Sequence, residues 1–152
     1  MLTKSTEYAI RALVFVQLRN WEEKRPGVGE IAREIEAPEA YTAKILQTLT
    51  KNRLLESMKG RGGGFFFNDN KSDLALYDVI HVMEGDANFK RCGIGLKQCN
   101  DDNPCPLHDK FVVVRDGFFD ITKSESIRSL STKILQGEAV LNRIIAKSNS
   151  YE

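Results

Sequence analysis

Residues 28–67, VGEIAREIEAPEAYTAKILQTLTKNRLLESMKGRGGGFFF, contain the pattern that decides the fold. Apolar residues recur every three to four positions in residues 28–35 and again in 40–52, which predicts two short helices separated by a proline-containing break. The period then changes, because residues 54–58 and 65–67 are short extended segments on either side of a glycine-rich turn, as in a β-hairpin. Two helices joined by a tight turn and followed directly by a hairpin are typical of a winged helix-turn-helix.

Helices are also predicted on both sides of this stretch. Residues 6–18 and 72–84 carry apolar side chains at helical spacing, and Ser72 is the expected cap of the second of these helices. Residues 106–121 form a long amphipathic helix that begins at a proline, and residues 127–146 form a last one. The sequence thus predicts a mainly α fold with a small β-hairpin, namely a winged helix-turn-helix plus a long C-terminal helix.

The composition is that of a soluble globular protein. The chain has 152 residues, of which 41% are hydrophobic and 28% charged, and its formal net charge is +1. This near-neutral charge excludes a strongly basic coat, so any contact with nucleic acid must come from a local patch. No apolar run approaches the ~20 residues that a membrane span needs, and the first residues lack a signal-peptide core. We therefore expect a cytoplasmic protein without a membrane partner.

The second predicted helix and the hairpin carry a local positive excess. Residues 39–67 hold five Lys or Arg residues against two Glu residues, which leaves an excess of three. Such a patch suits contacts to DNA phosphates, and residues on the helix face opposite Ile45 and Leu49 are candidates for contacts to base edges. The alternative is that the helix pair forms only a core and the glycines only a turn. The predicted DNA-binding residues are Thr42, Ala43, Lys44, Gln47, Lys51, Lys59 and Arg61.

All three cysteines lie close together in the sequence, in the pattern Cys92-x6-Cys99-x5-Cys105-x2-His108. Three thiols cannot all pair within one chain, and clustered thiols in a reducing compartment more often bind metal or do redox work. Thiolates and an imidazole are ligands for zinc or for an iron–sulfur cluster. The spacing is wider than the tight pairs of a structural zinc site, which favours the cluster. The remaining interpretation is that the cysteines bind no metal and only belong to, or border, an irregular loop over residues 85–104.

Several short motifs occur in a fixed order along the chain. They are Leu2-Thr3-Lys4, Tyr8-Ala9, Gly29-Glu30-Ile31-Ala32, Tyr41, Lys44-Ile45-Leu46, Leu49, Gly60-Arg61-Gly62-Gly63-Gly64 and the three-cysteine loop before a long helix. This ordered set resembles the winged-helix iron–sulfur transcription regulators that include IscR and NsrR. The resemblance extends over nearly the whole chain.

The resemblance implies a homodimeric transcription regulator that binds a palindromic double-stranded DNA operator. It implies a DNA-binding domain over residues 1–84, a cluster-binding loop over 85–105, and a dimerisation helix and C-terminal helix over 106–152. Through this cluster the regulator would sense the cell's cluster status, redox conditions or nitric oxide. The state of the cluster would change the affinity of the protein for DNA.

The resemblance also implies the cluster ligands, and the family divides at the fourth one. Cys92, Cys99 and Cys105 are the expected thiolate ligands. His108 matches the histidine that completes a two-iron cluster in IscR-like members, and we favour this 2Fe-2S alternative. Glu7 matches the carboxylate of the other subunit that completes a four-iron cluster in NsrR-like members, so a 4Fe-4S cluster stays open.

Three departures from the family pattern affect this interpretation. The interval from Cys92 to Cys99 is one residue longer than is usual, Ala43 stands where some members carry an acid, and Lys59 stands where a wing arginine is common. Operator sequences therefore do not transfer from relatives to this chain. A second hypothesis is a winged-helix regulator that senses a metabolite or a partner protein, with the cysteines binding zinc or acting as thiol redox sensors. No phosphate loop or nucleophile elbow is found, so we expect no enzymatic activity.

Overall fold

The fold was taken from a computed structural model, which describes residues 1–142. It is mainly helical with one two-stranded antiparallel hairpin. The elements are α1 (Lys4–Trp21), α2 (Val28–Ile35), α3 (Glu39–Lys51), β1 (Glu56–Met58), β2 (Gly64–Phe66), α4 (Leu76–Glu84), a 3-10 helix (Ala87–Phe89), α5 (His108–Ser124) and α6 (Ile127–Leu135).

The helix-turn-helix predicted for α2 and α3 is confirmed. Helix α2 ends at Ile35, and the left-handed backbone of the next residue, Glu36 (φ 56°), lets the N–H groups of Glu36 and Ala37 bond to carbonyls of the last turn of α2. Pro38 then precedes α3, where a helix start tolerates its missing N–H. The apolar faces of α2 and α3 meet in a core that includes Ile35 and Leu46.

The wing is also confirmed, and a side chain of α1 anchors it. Strands β1 and β2 pair antiparallel, with Ser57 opposite Phe65. The amide of Asn20 donates to the carbonyl of Phe65 at 3.3 Å and accepts from the N–H of Phe67 at 2.9 Å. Asn20 therefore pairs with β2 much as a third strand would, and this fixes the wing relative to α1.

Helix α1 is the centre of the core. It packs against α2, α3, α4 and α6, and its buried side chains form one apolar cluster with Ile127 of α6. The N–H of Ile127 bonds to the carbonyl of Leu74, so the chain before α6 returns to the chain before α4. Helix α6 thus packs on the winged-helix core, while the division into segments 1–84, 85–105 and 106–152 stays a prediction.

Two helix boundaries differ from the expectation by four residues or more. Helix α4 begins at Leu76 with Ala75 at its N-cap, so Ser72 is not the cap; Asp78 accepts from the N–H of Ala75 instead. The last helix ends at Leu135, before Gly137 adopts a left-handed backbone, so the expected extension to residue 146 is wrong up to residue 142. Residues 143–146 of that prediction lie outside the described residues.

Helix α5 has one packed face and one open face. Its Phe118 and Phe119 pack on Phe89 of the 3-10 helix, with ring centroids 5.7 and 5.2 Å apart. On the other face, Val113 is 72% exposed and Ile121 is 55% exposed. Two apolar side chains are thus left without a partner in the described chain. No helix within residues 1–142 is long and apolar enough to cross a membrane.

Candidate metal centre and nucleic-acid interface

The buried thiol of the cysteine loop is Cys92, three residues after the end of the 3-10 helix at Phe89. Backbone N–H groups of Ile94 and Leu96 hydrogen-bond to its sulfur and lower the pKa of the thiol, and the side chain of Cys105 lowers it further. Burial raises the pKa of Cys105, and the neighbouring sulfurs of Cys92 and Cys99 add to this rise. Cys105 therefore lies close enough to both Cys92 and Cys99 to interact with them electrostatically.

The imidazole of His108 is held between a thiol and a carboxylate. Its Nδ1 lies 3.3 Å from Sγ of Cys99, and its Nε2 lies 2.7 Å from Oδ1 of Asp101. Because a carboxylate only accepts hydrogen bonds, Nε2 carries the proton in the neutral ring and Nδ1 presents its lone pair to Cys99. Asp101 is 95% exposed, so this contact adds little stability and mainly orients the ring.

The cysteine loop lies close against α5. Gly93 packs on Phe111, and a Cβ at Gly93 would lie 2.6 Å from the ring of Phe111. Any side chain at this position would therefore push the loop away from α5. The glycine explains how Cys92 comes close to the start of the helix that carries His108.

The structure relates the four residues of the predicted cysteine motif two by two. Sγ of Cys99 contacts Nδ1 of His108, and the free thiols of Cys92 and Cys105 shift each other's pKa. Within residues 1–142, however, no three His, Cys, Asp or Glu side chains converge in a way that would hold a single metal ion. Three thiols, one oriented imidazole and N–H groups directed at sulfur fit a larger iron–sulfur centre in donor chemistry.

Glu7 lies apart from these four residues. It is exposed in the first turn of α1, where Nζ of Lys4 is 3.7 Å from its carboxylate. Within residues 1–142 it forms no hydrogen bond to a cysteine. Its predicted role as a ligand requires a second subunit and therefore stays a prediction.

Two surfaces of the winged helix are open for DNA. Ala43, Lys44 and Gln47 are exposed on one face of α3, and Lys51 is exposed in its last turn. Both cationic residues of the wing turn, Lys59 and Arg61, are exposed. The structure therefore presents six of the seven predicted DNA-binding residues to solvent.

The expectation that Thr42 projects from the same face is wrong. Thr42 is 0% exposed, and its hydroxyl donates to the carbonyl of Pro38 at 2.9 Å. Positions 42, 45 and 49 follow helical spacing, so Thr42 belongs to the face that carries Ile45 and Leu49. The helical spacing of residues 42, 45 and 49 in the sequence is therefore sufficient to predict that Thr42 is buried.

Arg25 was not predicted from the sequence, yet the fold places it at the wing. Its guanidinium lies 4.0 Å from the ring centroid of Phe66 and 3.3 Å from the sulfur of Met58. Gly64 permits this approach, because a Cβ there would lie 2.2 Å from the carbonyl oxygen of Arg25. Arg25 thus adds a third exposed cation to the wing, and only the fold of the loop reveals it.

A family model described as "Rrf2: Iron-dependent Transcriptional regulator" matches residues 2–133. Protein aau3 of Rhizobium meliloti is 32% identical over 130 residues, which cover 85% of this chain and 83% of that protein. The transcriptional repressor NsrR of Streptomyces coelicolor is 28% identical over 106 residues, which cover 70% of this chain and 67% of that protein.

Two solved structures have a similar fold. IscR of T. potens superposes with a TM-score of 0.68 at 16% identity, over 95% of this chain and 96% of that one. CymR, described as the global cysteine regulator of B. subtilis, superposes with a TM-score of 0.68 at 17% identity, over 87% of this chain and 96% of that one. The predicted winged-helix fold is thereby confirmed.

Proposed function

Because the chain belongs to the Rrf2 family of DNA-binding transcription regulators, we propose that it is a homodimer whose operator affinity is controlled by an iron–sulfur cluster. Cys92, Cys99 and Cys105 hold the cluster. The observation that carries the proposal is the contact between Sγ of Cys99 and Nδ1 of His108 at 3.3 Å, in a loop where the free thiols of Cys92 and Cys105 also shift each other's pKa.

His108 is the favoured fourth ligand, which corresponds to a two-iron cluster. Its Nδ1 faces Cys99, and Asp101 holds the opposite ring nitrogen, which is the arrangement of a ligating histidine with its orienting partner. When bound, the cluster supplies a centre whose charge and integrity change with redox conditions. Glu7 of a second subunit and a four-iron cluster remain the alternative.

A carboxylate connects the cysteine loop to the DNA-binding domain. Glu84 accepts from the N–H of Thr3 at 2.9 Å and from the hydroxyl of Thr6 at 2.5 Å, both in or beside the first turn of α1. Its other oxygen accepts from the amide of Asn88, which lies four residues before Cys92. Since α1 packs against α3, a movement of the loop changes the support of the recognition helix.

The recognition surface combines base readout with phosphate contacts. Lys44 and Gln47 on α3 have the donors and acceptors that suit base edges, with Ala43 beside them. Lys51 and the cations of the wing, Lys59, Arg61 and Arg25, contact phosphates. Two copies related by a two-fold axis read the two halves of a palindromic operator.

The open face of α5 is the dimer interface in this proposal. Val113, Val114 and Ile121 are each more than half exposed on a helix whose other face is already packed. A row of exposed aliphatic side chains of this kind is costly unless another surface covers it. A second copy of α5 offers the same residues and so supplies a self-complementary partner.

Measurement of iron and acid-labile sulfide in protein purified without oxygen tests the cluster. We expect two irons per chain for ligation by three cysteines and His108, and cluster-bound and cluster-free protein with different affinities for operator DNA. Four irons per chain would instead assign the fourth ligand of the cluster to Glu7 of a second subunit. Repeated anaerobic preparations without iron would contradict the proposal.

A second candidate function is a thiol redox sensor without metal. The observation that favours it is that the thiols of Cys92 and Cys105 shift each other's pKa, since two neighbouring thiols form a disulfide when two electrons and two protons pass to an oxidant such as peroxide. Under this hypothesis, iron-free protein changes its DNA affinity on oxidation. Peptide mass spectrometry would then find Cys92 joined to Cys105.

A further inference from the structure

Arg115 reaches from α5 into the cysteine loop. Its Nη1 donates to Sγ of Cys99 at 3.1 Å and to the carbonyl of Arg91 at 3.2 Å. It lies seven residues after His108, which places both side chains on one face of α5. The sulfur of Cys99 is thus held between two side chains of the same helix, one an imidazole and the other a cation.

The guanidinium of Arg115 is mostly withdrawn from solvent and is not fully satisfied. The side chain is 14% exposed, and its Nε is a buried nitrogen without a hydrogen-bond partner among residues 1–142. The carboxylate of Asp116 stays 4.0 Å away. A cation held there costs free energy unless an anionic centre nearby offsets it.

We propose that Arg115 is a positioning residue that orients Cys99 and offsets the negative charge of the thiolate-bound cluster. Charge-assisted N–H···S bonds to a ligating sulfur stabilise the more negative, reduced form of an iron–sulfur centre. The bond to the carbonyl of Arg91 fixes the loop at Cys92 by the same guanidinium. The charge effect rests on the proposed cluster, whereas the orientation of Cys99 does not.

The contrast between a planar guanidinium and a flexible ammonium makes the proposal specific. Nη1 of Arg115 donates to Cys99 and to Arg91 at once, and the rigid guanidinium plane fixes the direction of both bonds, which a lysine ammonium on a flexible stem does less well. Arg115→Lys therefore keeps the charge and loses the orientation, and Arg115→Gln loses both. Lys110→Gln is a matched control, since it removes one charge from an exposed position of the same helix.

The experiment compares these three variants with the wild type. Anaerobic protein is challenged with an iron chelator, and the loss of visible absorbance gives a rate. The midpoint potential is measured in a dye-mediated titration with dithionite as the electron donor. We expect Arg115→Gln to lose the cluster about tenfold faster, as is usual when an outer partner of a metal ligand is removed, and to shift the potential to more negative values. Arg115→Lys should lose the cluster faster at nearly unchanged potential.

Hydrogen exchange of the cluster-free protein separates this proposal from the proposed function. Amides of residues 92–105 should exchange faster in Arg115→Gln than in Lys110→Gln, with equal exchange in α1 showing that both variants are folded. If the wild type binds no iron, the proposed function fails and this comparison still decides whether Arg115 holds the loop. Arg115→Gln that matches Lys110→Gln in exchange, cluster loss and potential would overturn the inference.

Discussion

Sγ of Cys99 lies 3.3 Å from Nδ1 of His108, although eight residues separate the two in the sequence. The contact forms because His108 is the first residue of α5 and the loop folds back over the start of that helix. Asp101 orients the far side of the ring, at 2.7 Å from Nε2.

Replacement of Cys92, Cys99 or Cys105 by Ala is expected to abolish cluster binding and leave a folded protein. The loss follows because each thiolate is a separate ligand, and the fold survives because the apolar core lies around α1. Iron and sulfide content is measured beside far-ultraviolet circular dichroism. Iron content equal to that of the wild type in all three variants would remove the cysteines from the site.

His108→Ala and Glu7→Gln are expected to differ. With His108 as the fourth ligand, His108→Ala loses the visible spectrum and Glu7→Gln keeps it, because Glu7 is an exposed residue whose contact is with Lys4. The readout is absorbance together with iron per chain. The reverse result, with the cluster lost only in Glu7→Gln, would assign the site to the four-iron alternative.

The double variant Lys59→Ala/Arg61→Ala is expected to weaken binding to all DNA sequences alike. Each phosphate contact contributes about 0.9 to the slope of log affinity against log salt, so the slope should flatten by about 1.8. Fluorescence anisotropy at several salt concentrations measures this change. Lys110→Ala/Lys133→Ala removes the same charge from exposed positions elsewhere and should leave the slope unchanged. An unaltered slope in the wing variant would exclude these residues from the interface.

Val114→Asp is expected to convert the dimer into a monomer. Val114 is 56% exposed on the open face of α5, so the carboxylate disturbs an interface without disturbing the core. Light scattering after size-exclusion chromatography gives the mass. The control is Val140→Asp, which makes the same change at a site that is 62% exposed and lies beyond α6. A Val114→Asp protein that remains dimeric would place the interface elsewhere.

Glu84→Gln is expected to uncouple the loop from α1. The weaker acceptor loosens the bonds to Thr3 and Thr6, while the cluster ligands stay intact. The ratio of operator affinities between the cluster-bound and cluster-free forms, typically about 5–150-fold in allosteric proteins, should fall towards one. Glu22→Gln, at an exposed ion pair with Arg19, is the control. If Glu84→Gln keeps the wild-type ratio of operator affinities, Glu84 does not couple the cysteine loop to α1.

Most of the fold follows from local patterns. The helical period of residues 28–35 and 40–52 and the glycine turn before residues 65–67 each depend on near neighbours, and they appear in the structure as α2, α3 and the wing. The ordered motifs of the family were likewise visible, and the match over residues 2–133 confirms the resemblance. The helical period continues into residues 136–142, but the helix ends at Leu135 because Gly137 adopts a left-handed backbone.

The sequence by itself therefore determined the winged helix, the family and the grouping of three cysteines near His108 in one short segment. Helical period, turn residues and short spacings are local signals, because each depends on residues that are only a few positions apart. Only the tertiary structure decided which side chains meet across the chain. It buried Thr42, brought Arg25 to the wing through Phe66, and directed Arg115 to Cys99. These contacts depend on how α5 and the loops pack against the rest of the molecule, and packing between distant segments leaves no periodic signal in the sequence.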